Sequence, residues 1–147
     1  MRNLALIPLA LLIAPTAFAV EGESQGQDKA IENVKINNAF GDFVTGLDYY
    51  NGWGDSGQNY GQALIYFENA ARAGHEQSLQ YLGLIYYKGL GVQKDNIEAY
   101  KWFDLAASSG DKVGIVLKLT LKDLLTPQDL KEAEERKEEW LHSAHVN

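Results

Sequence analysis

Thr45-Gly46-Leu47-Asp48-Tyr49-Tyr50-Asn51-Gly52-Trp53-Gly54 is followed, 37 residues downstream, by a second version of itself, Leu82-Gly83-Leu84-Ile85-Tyr86-Tyr87-Lys88-Gly89-Leu90-Gly91. Ala63, Tyr66, Phe67, Ala70, Ala71 and Gly74 are then answered by Ala99, Trp102, Phe103, Ala106, Ala107 and Gly110 at an offset of 36. The first copy therefore holds one additional residue between its halves. A period of this length signifies stacked helical hairpins. Such stacks present surface to a partner more readily than they enclose a pocket for chemistry.

The glycines and alanines of the two copies divide the work of building them. Gly52 and Gly89 fall where a helix must stop and the backbone needs positive φ, and Gly74 and Gly110 end the second helix of each pair. The predicted helices run over about 42–51 and 60–73 in the first copy and 77–88 and 96–108 in the second, giving repeats at about 42–74 and 78–110. Gly46 and Gly83 lie inside helices, where each costs about 1 kcal/mol relative to alanine. Their recurrence predicts a close backbone approach at that point. Ala70-Ala71 and Ala106-Ala107 let the neighbouring helix come near while the aromatic residues a turn earlier fill the gap.

Outside the repeats the pattern weakens. Residues 20–29, rich in Gly, Ser, Gln and charge, read as a flexible lead-in to a domain over 30–147. From Ala30 the spacing of Ile31, Val34, Phe40 and Phe43 predicts a short helix, with a break at Asn37-Asn38 before the next. Residues 111–125 resemble the first helix of a third repeat stripped of its glycines. Thr126-Pro127-Gln128-Asp129 then starts a last helix: threonine caps, proline occupies the first turn, and an acid follows three residues after the cap. Leu130, Ala133, Trp140, Leu141 and Ala144 form its apolar stripe, which is expected to seal the open end of the stack.

The first 19 residues read as a secretory signal. Arg2 supplies the positive start, Leu4 to Ala14 an apolar core interrupted by Pro8, and Ala17-Phe18-Ala19 the small-x-small cleavage pattern, with cleavage expected after Ala19. The apolar run is too short to serve as a membrane anchor. Periplasmic or secreted localisation is the expectation, with no integral anchor after cleavage. The chain has no cysteine, which excludes both a lipid-modified cysteine and a disulfide framework. Its formal charge of −7, deepened by one when Arg2 leaves with the signal, excludes a basic stripe for nucleic acid and favours a protein partner with a basic patch.

Leu82-Gly83-x-x-Tyr86-x-x-Gly89-x-Gly91-Val92, then Asp95, Ala99, Trp102, Ala106-Ala107 and Gly110, resembles the Sel1-like repeat at nearly every position. The first copy keeps Gly46, Tyr49, Gly52, Gly54, Ala63, Ala70-Ala71 and Gly74, and departs with Thr45 for leucine, Asp55 for valine and Tyr66 for tryptophan. The segment from Leu125 to Trp140 is similar to the closing helix of bacterial members. The resemblance implies an all-α fold, a short right-handed α-solenoid of antiparallel helix pairs with a C-terminal capping helix, acting as an adaptor for other proteins. Exported members are associated with host interaction, envelope assembly and immunity against secreted toxins, including phospholipases delivered by type VI secretion. The expectation is thus a non-enzymatic periplasmic binding module, most sharply an immunity protein. The alternatives are a scaffold in an envelope complex or, suggested by cysteine-rich relatives, a cell-wall or β-lactam hydrolase.

Specificity is expected at the positions the repeat leaves free. On the first helix of each pair these are Leu47, Tyr50 and Asn51, matched by Leu84, Tyr87 and Lys88. A leucine and a tyrosine three residues apart share a helix face, so both copies either line a tyrosine-rich groove or pack on the adjoining helix. The loop from Trp53 to Tyr60 is the other candidate, since it places two aromatic residues in a polar, glycine-rich turn. No nucleophile, paired acid and base, or phosphate-cradling loop is present, so no catalytic residue, cofactor or metal is expected. Asp55-Ser56-Gly57-Gln58-Asn59 lacks the bidentate glutamate of a calcium loop, and His142 and His145 lack a third ligand. His75, after a helix-ending glycine, reads as a cap or surface residue.

Overall fold

The structure is a computed structural model that describes residues 21–55 and 57–145. The expected signal segment and its cleavage point lie outside the described residues. Two units divide the chain, Met1–Glu32 and Asn33–Asn147. Of the first, only the opening turns of one helix are described, and the packed helices belong to the second.

Six helices follow one another: α1 (Glu21–Asn51), α2 (Tyr60–Arg72), α3 (Glu76–Lys88), α4 (Asn96–Ser108), α5 (Lys112–Lys122) and α6 (Pro127–His145). The two repeats are the α1–α2 and α3–α4 hairpins. Each second helix opens on a capping side chain, Asn59 Oδ1 accepting from the Gln62 amide at 3.1 Å and Asp95 Oδ1 from Ile97 and Glu98 at 2.9 and 3.0 Å. These bonds satisfy amides that have no partner within the helix. Gly52 and Gly89 adopt φ of 74° and 68°, the left-handed geometry that turns the chain out of α1 and α3.

Two sequence expectations about α1 are corrected. The helix passes through Asn37-Asn38 without a break, and it already includes residues 21–29, expected as a flexible lead-in. Neither asparagine adopts positive φ. An asparagine inside a helix costs only up to about 0.7 kcal/mol relative to alanine, and the Gln, Glu and Lys residues of the lead-in are good helix formers.

The interior is built from one repeated contact. Phe67 of α2 lies on Gly46 of α1, where a Cβ would approach the ring to 2.7 Å, and Phe103 of α4 lies on Gly83 of α3 in the same way. The expected close approach at these glycines is therefore made by a phenyl ring rather than by backbone. Around them sit Phe43, Leu79, Leu82, Ile85, Trp102 and Ala106 in one buried cluster, and Ala99, Phe103 and Leu121 in a second.

The third repeat is half built. Asp111 caps α5, accepting from the Val113 and Gly114 amides at 3.2 and 2.9 Å, and Leu121 is buried. The repeat glycine is absent, with Leu119 at the position of Gly83, but another glycine serves a different contact. Gly114 stands 36 residues after the buried Ser78, and a Cβ there would lie 2.7 Å from Ala106 Cβ, so a small residue is what lets α5 approach α4.

The last helix starts as expected. Thr126 Oγ1 accepts from the Asp129 amide at 3.2 Å while Asp129 Oδ2 accepts from the Thr126 amide at 2.9 Å, a reciprocal capping box. Its course differs from expectation. α6 packs across α4, with Trp140 edge-on to Trp102 at 5.1 Å and Ala133 buried, so the seal lies one helix earlier than the end of the stack.

Candidate protein-binding surface

The structure divides the candidate residues between two packed clusters and an exposed loop. Leu47 and Tyr50 are half-buried against the first cluster. Tyr50 meets Tyr60 edge-on at 5.4 Å, Tyr81 at 5.4 Å and Phe67 at 6.1 Å. Burial, with Tyr60 and Tyr81 adding to it, raises the Tyr50 phenol above its ordinary pKa. Leu84 and Tyr87 pack against the second cluster, and Lys94 Nζ sits 5.3 Å from the centre of the Tyr87 ring. Asn51 and Lys88 are exposed at the helix ends, Asn51 donating from Nδ2 to the Leu47 carbonyl at 2.9 Å.

Trp53 stands apart from this group. Its counterpart Leu90 packs on the first cluster, whereas the Trp53 side chain is 59% exposed. The loop that carries it is fixed at both ends. The Trp53 amide donates to the Asp48 carbonyl at 2.9 Å, the Asn59 amide to the Tyr49 carbonyl at 2.8 Å, and Gln58 Nε2 to the Tyr50 carbonyl at 3.0 Å. The second repeat makes the equivalent closure, Asp95 amide to Tyr86 carbonyl at 3.0 Å. The additional residue of the first copy is thus confined between two anchored ends.

Titratable groups gather where α4 meets α6. Arg136 Nη1 bonds Asp95 Oδ2 at 2.8 Å and Glu98 Oε2 at 3.2 Å, and Lys137 Nζ bonds Asp104 Oδ2 at 2.8 Å. Lys118 of α5 also pairs with Asp104. Although burial works against it, bonding from Arg136 and from the Glu98 and Ile97 amides holds the Asp95 carboxyl below its usual value. Burial also pushes the nearby Tyr86 phenol up to about 12, with Glu98, Glu68 and Asp95 acting in the same direction. These groups are bound to one another across helices and hold α6 in place.

His75 is the residue whose environment the sequence did not disclose. It precedes α3 but makes no side-chain cap. Its ring instead stacks on Phe43 at 4.1 Å, with Nδ1 3.2 Å from Ser78 Oγ. Burial lowers its pKa, opposed by Glu76. A folded pKa below the unfolded value of about 6.5 means that the contribution is complete above that pH and is lost as pH falls through the folded value. Urea midpoints measured between about pH 7.5 and 5 are expected to fall more for the wild type than for His75→Gln. Parallel curves would mean that His75 does not titrate with folding.

The Sel1 repeat family model matches residues 45–75 and 77–111, which are the two hairpins just described. The chain carries two Sel1 repeats. Among solved structures it is similar to a protective antigen present in uropathogenic Escherichia coli strains, which displays an SLR fold. The TM-score is 0.63 at 30% identity, covering 69% of this chain and 22% of the antigen, so the chain spans about a fifth of that protein's length. A comparison with curated proteins found no match. Sel1 repeats generally mediate protein–protein interaction and are typically non-enzymatic. In this Sel1 pair Ala63, Ala70, Leu82, Ala99, Trp102 and Ala106 are buried, and Trp53 is among the large side chains that the first repeat turns outward.

Proposed function

We propose that this Sel1-repeat protein is a non-enzymatic binding module of the bacterial periplasm, exported by residues 1–19, that binds and neutralises a secreted toxin such as a type VI secretion phospholipase effector. The observation that carries the binding role is the exposed Trp53 indole on a loop anchored at both ends. An ordered aromatic side chain loses little freedom on binding and is a common anchor of protein interfaces. The acidic net charge favours encounter with a basic face of the toxin. The immunity role itself rests on the resemblance to exported Sel1 proteins.

Tagged protein recovered from periplasm should retain one stoichiometric partner, a secreted hydrolase, identified by mass spectrometry. Trp53→Ala should weaken that complex by roughly 30-fold or more, a loss of about 2 kcal/mol, with an unchanged melting temperature. Undiminished binding by the folded variant would move the interface elsewhere. Recovery of several weakly held envelope proteins would favour the second reading, a scaffold, which the apolar residues left uncovered on α5 support.

A further inference from the structure

Both ends of the helix stack are open and apolar. At the first end, Ile36 and Phe40 of α1 are 56% and 59% exposed and border a groove of about 320 Å³ whose other wall is Ala73 and His75. Val44 continues the same stripe one turn further, since residues four apart share a helix face. At the other end, Val113, Val116 and Leu119 of α5 are 45%, 61% and 55% exposed. In the two complete repeats the position of Leu119 is a glycine covered by a phenylalanine of the pair's second helix. Here α6 packs on α4 instead.

The two ends match in size and differ in charge. Val113 to Leu119 spans about 9 Å of helix and Ile36 to Val44 about 12 Å. α5 contains three lysines and no acid, and Lys118 is committed to Asp104. Lys112 and Lys122 are exposed and make no ion pair among the described residues, with Asp123 following the last turn. At the groove the exposed Glu76 lies near enough to act on His75. Lys35 and Arg72 line a neighbouring groove that shares Ala73, and Arg72 there donates to Ser143.

We propose that the α5 face docks into the α1 groove of a second copy of this chain, joining molecules head to tail. Leu119 stands where the complete repeats have the glycine that admits a phenylalanine, 36 residues after Gly83. A second helix of the usual kind is therefore barred from α5, while a groove that accepts an aliphatic side chain is not. Pairing two α5 faces antiparallel would set Lys112 of one copy beside Lys122 of the other. Because the two docking faces are different, the interface does not close on itself, and copies add in a row. The contact is small, at the weak end of the interface range below about 1,200 Å².

The experiment is sedimentation of the exported chain over rising concentration, alone and in mixtures. The wild type is expected to grow beyond dimers. Leu119→Glu and Phe40→Glu should each be monomeric with unchanged helicity and melting temperature, both positions being exposed. Mixed together, the two variants should form one-to-one dimers and nothing larger, because each retains the face the other has lost. Val116→Glu with Ile36→Glu provides a second such pair should either first variant unfold. A monomeric wild type at about 1 mM overturns the proposal, as does a mixture that stays monomeric. Association retained by either single variant also overturns it, by revealing a like-with-like interface.

Discussion

Trp102→Ala is expected to destabilise the fold by about 3–5 kcal/mol, a large share of the roughly 5–15 kcal/mol available to a domain of this kind. The indole is 1% exposed in the first cluster, meets Trp140 at 5.1 Å and carries Lys101 Nζ at 4.2 Å from its ring centre. Truncation would open a cavity and remove the apolar floor on which α6 rests. The ion pairs of Arg136 and Lys137 would then hold a helix with little beneath it. Urea unfolding followed by circular dichroism measures the loss, and Trp140 fluorescence should report α6 loosening at lower urea than the remaining helices. Trp102→Phe keeps a ring against Trp140, and the Trp102 indole N–H has no hydrogen-bond partner among the described residues. That variant is expected to lose less than about 1.5 kcal/mol. Equal losses for the two variants would mean that the site collapses around whatever occupies it.

Gly83→Ala should destabilise by about 1–3 kcal/mol, even though alanine is favoured over glycine in a helix by about 1 kcal/mol. A methyl group at Gly83 would overlap the Phe103 ring, which is fully buried and cannot swing aside. Gly41→Ala is the internal control. It lies in the same kind of helix with nothing within 4 Å of a Cβ, so it should stabilise by up to about 1 kcal/mol. Opposite signs for one chemical change would establish that ring contact, and not helix propensity, keeps Gly83. In a double-mutant cycle, Phe103→Leu should cost less in the Gly83→Ala background than in the wild type, since the shorter side chain frees the volume the methyl needs.

The boundaries of the repeats were legible because glycine at a positive φ is a local requirement. Gly52 and Gly89 could be read one position at a time, and each turns the chain where expected, while the Asn59 and Asp95 caps, which open helices expected at about 60 and 96, emerge from the structure. The Thr126–Asp129 start of α6 was legible from an equally local pattern. What periodicity supplied was the identity of the buried face, without the neighbour that covers it. Thus the Trp140 stripe of α6 was evident, but its packing on α4 depends on Arg136 and Lys137 meeting Asp95, Glu98 and Asp104 some 30 to 40 residues away. Likewise the equivalence of Tyr50 and Tyr87 was plain, while their half-buried packing followed from Tyr60 and Tyr81 in one repeat and from the cluster of Ala99, Phe103 and Leu121 in the other. His75 gave no signal at all, because a single histidine after a helix-ending glycine has no period. Only the stack brings Phe43 against it.

The closure from the Asn59 amide to the Tyr49 carbonyl, matched by that from Asp95 to Tyr86, resets the register of each repeat before its second helix begins. Residues inserted between Trp53 and Gln58 are therefore not counted by the helices on either side. Doubling the length of such a loop adds only about 0.6 kcal/mol of closure entropy. Length and sequence can vary at this one site while Phe67 still finds Gly46. The chain thus has a place where its sequence can be rewritten, insulated by three hydrogen bonds from the part that must stay the same.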